Sequence, residues 1–206
     1  MAWYEIFAIA GLAFCLISCM IMFFRLASFG KPADHSAKRG KTGSAVFYSF
    51  TGAMDPRKKE SAYLHLPTYM AGMVYHLGTF TAIAVFLMSL LRVLPPGDII
   101  RSAIAGVLIV SGGSGLAILI KRMVNRNLRA LSNPDDFIAN FLVSGFHVIS
   151  AGYLLYDSFT ALYMVSAGIL LFYLPFGKLK HTVYFFAARY HLGFFYGWRD
   201  VWPPKP

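Results

Sequence analysis

Apolar positions in this chain fall into long blocks separated by short polar or basic breaks. The blocks run from Trp3 to Phe24 and then near Leu66–Leu91, Ile99–Ile120, Phe137–Tyr156 and Phe159–Phe176. About 20 mostly apolar residues are needed to cross a bilayer, so each block reads as a membrane span. The first block is long for a signal-peptide core, has no basic residue ahead of it and shows no clear cleavage signal, so it is read as a retained helix. The breaks at Pro95-Pro96-Gly97 and Asp157-Ser158 are very short, which makes helices two and three, and four and five, hairpins. The expectation is an all-α integral membrane protein: one membrane domain, residues 1–206, with five transmembrane helices at about 3–25, 66–92, 99–120, 137–156 and 159–176. A polar loop, 27–64, and a basic aromatic tail, 177–206, complete it, and Thr182–Tyr196 suits the membrane interface, where Trp and Tyr concentrate.

Composition agrees with that pattern. Of 206 residues, 57% are hydrophobic and only 14% charged, too apolar for a surface that meets water, and the length leaves no room for a large soluble domain. The net charge of +10 would suggest nucleic acid in a soluble protein. Here the basic residues cluster beside apolar spans, where they set orientation and meet anionic headgroups, so no nucleic-acid partner is expected. In the five-span arrangement one side carries seventeen of the 19 Lys and Arg and the other only Arg92 and Arg101. The positive-inside rule then puts the N-terminus outside and the C-terminus in the cytoplasm, and the expected location is a bacterial or archaeal inner membrane. Cys15 and Cys19 share a face of the first span and read as small core residues, and with no Cys-x-x-Cys-His motif covalent haem attachment is excluded.

Two local signals shape the second span. Asp55-Pro56 reads as its start, with Asp as N-cap, and Pro67 inside it should produce a kink. In the third span, Gly112, Gly113 and Gly115 suit close helix packing or close approach to a cofactor.

Ionisable groups inside a membrane are costly and usually functional. His65 and His76 are eleven apart, about 20° from eclipsed and about 16 Å apart along the axis, so they leave one face at two depths. That suits two stacked haems, each with an axial imidazole, and Gly72 and Gly78 leave room nearby. Zinc, whose ligands converge within about 2 Å of one point, does not fit. His147 lies about eleven residues into the fourth span and pairs by depth with His76. His181, past the fifth span, pairs with His65, with His191 as its alternative. His35 reads as a solvated loop residue, and any one of the membrane histidines could instead hydrogen-bond between helices.

At these positions the chain resembles the gamma, cytochrome b subunit of respiratory nitrate reductases and its relatives in sulfite-reductase-linked and heterodisulfide-reductase-like membrane complexes. The likeness covers the five-span layout, the two histidines on helix two and the stretch FYLPFGKLKHTVYF, residues 172–185, whose Pro-Phe-x-x-Leu-x-His run resembles the family's haem-bearing end of helix five. The resemblance implies His181, His65 and His76 as haem ligands. The family's fourth ligand corresponds here to Tyr163, which leaves that role to His147 or leaves the outer haem missing.

The resemblance further implies haem b, two or one, with menaquinol or ubiquinol oxidised near the outer face and electrons passed to iron–sulfur and catalytic subunits on the cytoplasmic side. Haem propionates would seek Arg57, Lys58, Lys178, Lys180 or Arg189, and Asp157, Asp98 and Tyr156 are candidate proton acceptors for quinol. The loop and the tail are expected to dock the electron-transfer partner. The rival readings are a haem-free membrane anchor or assembly subunit, a hydrogenase- or succinate-dehydrogenase-type cytochrome b anchor, and a small transporter. The transporter reading is weakened because no internal repeat is visible.

Overall fold

A computed structural model describes residues 1–30, 33–58 and 64–204. Among them the secondary structure is helical, with helices α1 (Trp3–Ser28), α2 (Thr42–Phe50), α3 (Leu66–Leu90), α4 (Asp98–Val124), α5 (Arg126–Ala130), α6 (Pro134–Leu155), α7 (Thr160–Tyr173) and α8 (His181–Trp198). Four of them, α1, α3, α4 and α6, are each long and apolar enough to cross a membrane. Their outward faces are apolar and exposed, as with Leu77, Phe80 and Ile83 on α3, a surface better suited to lipid than to water.

The fifth expected span differs. α7 has 14 residues, about 21 Å of helix against a hydrocarbon core of about 30 Å. It makes a crossing only if Asp157–Tyr173 and Lys178–Trp198 are taken as one broken span. Pro175, two residues beyond α7, explains the early stop, since it has no amide proton with which to continue the helix.

Helix ends follow local chemistry. Asn133 caps α6 by accepting a bond from the Asp136 amide while the Asp136 carboxylate accepts from the Asn133 amide, and Pro134 occupies the first turn. Pro67 proves to be the second residue of α3, a first-turn position where a missing amide proton costs nothing, so it does not act as an interior kink. Asp55 caps a 3₁₀ turn, Pro56–Lys58, accepting from the Arg57 amide at 3.0 Å. Residues 59–63 and the basic residues Lys31, Lys59 and Lys205 lie outside the described residues.

The chain divides into two compact units, Met1–Leu16 with Pro67–Leu179, and Ile17–Leu66 with Lys180–Pro206. In the first, α4 and α6 pack closely through small residues. A Cβ on Gly112 would sit 3.3 Å from the Ser144 carbonyl oxygen, and one on Gly115 would meet Ser144 and Tyr75 at 2.3 Å. Gly113 faces open space. The core of this unit gathers Ala82, Val85, Phe86, Leu108, Phe146 and Leu154.

In the second unit, α2 and α8 lie antiparallel through Gly193-x-x-x-Gly197. Added Cβ atoms there would fall 2.5 Å from the Val46 Cα and 2.5 Å from the Ala45 Cβ. The Ser49 hydroxyl lies 2.8 Å from the Arg189 carbonyl oxygen. The loop and the tail are therefore packed on each other, a use of their aromatic and basic residues that composition did not reveal. Trp198 Nε1 donates to the Ser36 carbonyl at 2.7 Å, and Arg199 pairs with Asp34 at 2.6 Å.

Candidate functional site

The four histidines singled out by spacing end in different surroundings. His147 is fully buried in α6, with Nδ1 3.0 Å from the Ser111 hydroxyl of α4 and Nε2 3.2 Å from the Thr79 hydroxyl of α3. Both hydroxyls also reach the Tyr75 carbonyl oxygen, Ser111 at 3.3 Å and Thr79 at 2.9 Å. Either neutral tautomer of the ring is satisfied: the protonated nitrogen donates to one hydroxyl, which in turn donates a hydrogen bond to the Tyr75 carbonyl, while the other hydroxyl donates to the bare nitrogen. His147 thus joins three helices at a point where an unpaired imidazole would be costly.

This arrangement leaves no opening for a macrocycle beside His147. A Cβ on Gly78 would lie 1.8 Å from Ser111 Oγ and 3.4 Å from the His147 ring, so the room expected at Gly78 is taken up by α4 and α6. His76 is on the exposed side of α3, a turn before the outward-facing Phe80, while Gly78 and Thr79 turn toward the core. As packed, the residues at His76 and His147 do not fit a haem between them.

Tyr163 shows what occupies the core instead. Its ring is sandwiched between Tyr153, with centroids 4.2 Å apart and planes 6° apart, and Phe146, at 5.5 Å and 7°. Phe86 meets it edge-on. The Tyr163 hydroxyl is buried without a hydrogen-bond partner, while Tyr153 reaches Ser89 at 2.8 Å. Sequence reasoning saw Tyr163 only as a missing histidine. The aromatic stack had a visible signal, since Phe146 and Tyr153 stand seven apart in α6 and share a face.

His65 and His181 belong to the second unit and are both exposed, His65 directly before α3 and His181 as the first residue of α8. Two accessible imidazoles are a donor set that suits axial ligation of a haem b. His191, also on α8, borders a groove of about 350 Å³ otherwise lined by apolar and aromatic side chains such as Phe23, Phe186 and Tyr190. His35 is exposed in the loop. Among the described residues, no group of three or more His, Cys, Asp or Glu side chains is arranged to hold a metal ion.

Three of the five cations suggested for propionates have protein partners of their own. Lys178 pairs with Asp136, which also meets Arg122 at 3.7 Å; Arg57 pairs with Asp55 at 2.9 Å; Arg189 lies over the Phe185 ring. Lys180 is exposed. Asp98, Tyr156 and Asp157 are exposed at helix ends, Asp98 opening α4 and the other two joining α6 to α7. Cys15 is buried, Cys19 is half-buried, and they form no disulfide.

Four helices long and apolar enough to cross a membrane, or five if the bent pair is one span, are consistent with the class of helical multi-pass membrane proteins. Beyond that class the chain matches no family model, no curated protein and no solved structure.

Proposed function

We propose that the chain is the membrane cytochrome b subunit of a quinone-linked electron-transfer complex, carrying haem b on His65 and His181 and lying with its N-terminus outside and its C-terminus in the cytoplasm. The observation that carries this reading is the difference in burial: His147 lies wholly in the core, whereas His65 and His181 are exposed members of one compact unit. The resemblance of residues 172–185 to the haem-bearing end of helix five supports His181 as one of the two.

When bound, such a haem would supply one-electron transfer between quinol and an iron–sulfur partner on the cytoplasmic side. His65 and His181 would hold the iron and fix its potential through two neutral imidazoles. Lys180 and Arg189, in the same unit as both histidines, would offset the propionate charge. Asp157, Asp98 and Tyr156 remain the candidates for taking the quinol proton.

Visible spectroscopy of the purified chain tests this reading. A Soret band with b-type α absorption at one haem per chain, lost in His65→Ala and His181→Ala and kept in His76→Ala and His147→Ala, is the expected result. Absence of any Soret band would overturn it in favour of the second reading, a haem-free membrane anchor. That reading is favoured by one observation, the committed hydrogen bonds of His147. Two haems, one of them lost in His147→Ala, would return the outer pair to a ligand role.

A further inference from the structure

The second unit carries a cationic cleft of about 690 Å³, lined by Lys38, Arg39, Lys41, Ser44, Asp200 and Trp202 among others. Among these described lining residues three cations face one carboxylate. Backbone bonds shape the site: the Arg39 and Gly40 amides donate to the Trp198 carbonyl at 2.8 and 3.3 Å, which turns the basic run across the end of α8. Gly40 is required at that crossing, since a Cβ there would fall 2.4 Å from the Gly197 carbonyl oxygen. The same cleft lies at the start of α2, where Lys41 is the N-cap and no side chain caps the first-turn amides of Thr42, Gly43 and Ser44. Positive side chains and a positive helix end thus converge on one volume.

The surroundings indicate where the anion comes from. Trp202 packs on Tyr196 at 4.6 Å and on Tyr48 at 5.6 Å, and Lys38 lies over Trp198 at 5.6 Å. Clustered Trp and Tyr beside Lys and Arg are the composition of the headgroup layer. We propose that this cleft binds the phosphate of an anionic phospholipid headgroup and so fastens the loop–tail unit to the membrane surface. The inference rests on the multi-pass membrane class and on no haem.

The test uses the full chain in zwitterionic detergent, titrated with dioctanoyl phosphatidylglycerol and followed by tryptophan fluorescence. Each cation near an anionic surface is worth about fivefold in affinity, so Arg39→Gln with Lys41→Gln should weaken binding by tenfold or more. Asp200→Asn, which removes the only carboxylate among the described lining residues, should tighten it several-fold, a gain that a misfolded variant cannot mimic. Arg126→Gln with Arg129→Gln in α5 should change nothing, and dioctanoyl phosphatidylcholine should not bind. Equal weakening by the α5 pair, or no gain in Asp200→Asn, would overturn the site. Full displacement of the lipid by inorganic phosphate at equal concentration would overturn the headgroup as its source.

Discussion

The Nδ1 atom of His147 and the hydroxyl of Ser111 lie 3.0 Å apart and wholly buried, although 36 positions separate them in the chain. With Thr79 on the other ring nitrogen, they tie α6 to α4 and α3 at one level of the first unit. The contact accounts for the small residue at Gly78, whose absent side chain is what lets Ser111 in.

Replacing His147 with Ala should therefore act on stability. It removes two interhelical hydrogen bonds and opens a cavity, together costing about 2 kcal/mol. Unfolding in mixed micelles should show that loss, while haem content stays at the wild-type value. Loss of haem with unchanged stability would contradict the packing role.

Asp136 caps its own helix and meets Lys178 and Arg122 from elsewhere in the unit. Asp136→Asn keeps the capping oxygen and loses the charge, so it should cost less than Asp136→Ala, which loses both and should cost about 2 kcal/mol. Thermal unfolding of the two variants in detergent checks the order, and equal costs would mean the cap contributes little.

Glycine substitutions should separate packing from mere presence. Gly197→Leu places a branched side chain against Ala45 and Thr42 and should release α2 from α8, seen as roughly tenfold faster proteolysis within residues 33–58. Gly113→Ala meets open space and replaces a poor helix former, so the protein should be as stable as the wild type or slightly more so.

The Asp34–Arg199 pair makes a pH prediction. Bonds from Ser36 and then the Arg199 guanidinium hold the Asp34 carboxyl down at about 2, below its usual 3.8. A lowered carboxyl pKa stabilises the fold above the unfolded value, so the contribution is complete above about pH 4 and is lost as pH falls toward 2. Fluorescence of Trp198, bonded to the Ser36 carbonyl, should change in that window and stay flat from pH 5 to 8. In Asp34→Ala the acid step should vanish.

The four long spans were legible in the chain because crossing a bilayer depends on the apolar length of a single segment, a property each segment carries without its neighbours. The α6 start was nearly legible for a similar reason: Asn133, Pro134 and Asp136 interact within one turn. Depth along a helix was readable too, but depth alone did not decide the histidines. His76 and His147 were matched by rise, yet one turns outward beside Phe80 and the other inward to Ser111 and Thr79. Which face is inward depends on small residues and hydroxyls of helices far away in sequence, and no periodicity within one helix reports it. The loop and tail divide in the same way. Their basic and aromatic composition is what suggests a membrane surface, but their mutual packing arises from Gly193 and Gly197 meeting Ala45 and Val46, a pairing of surfaces about 150 residues apart that only the folded chain brings together.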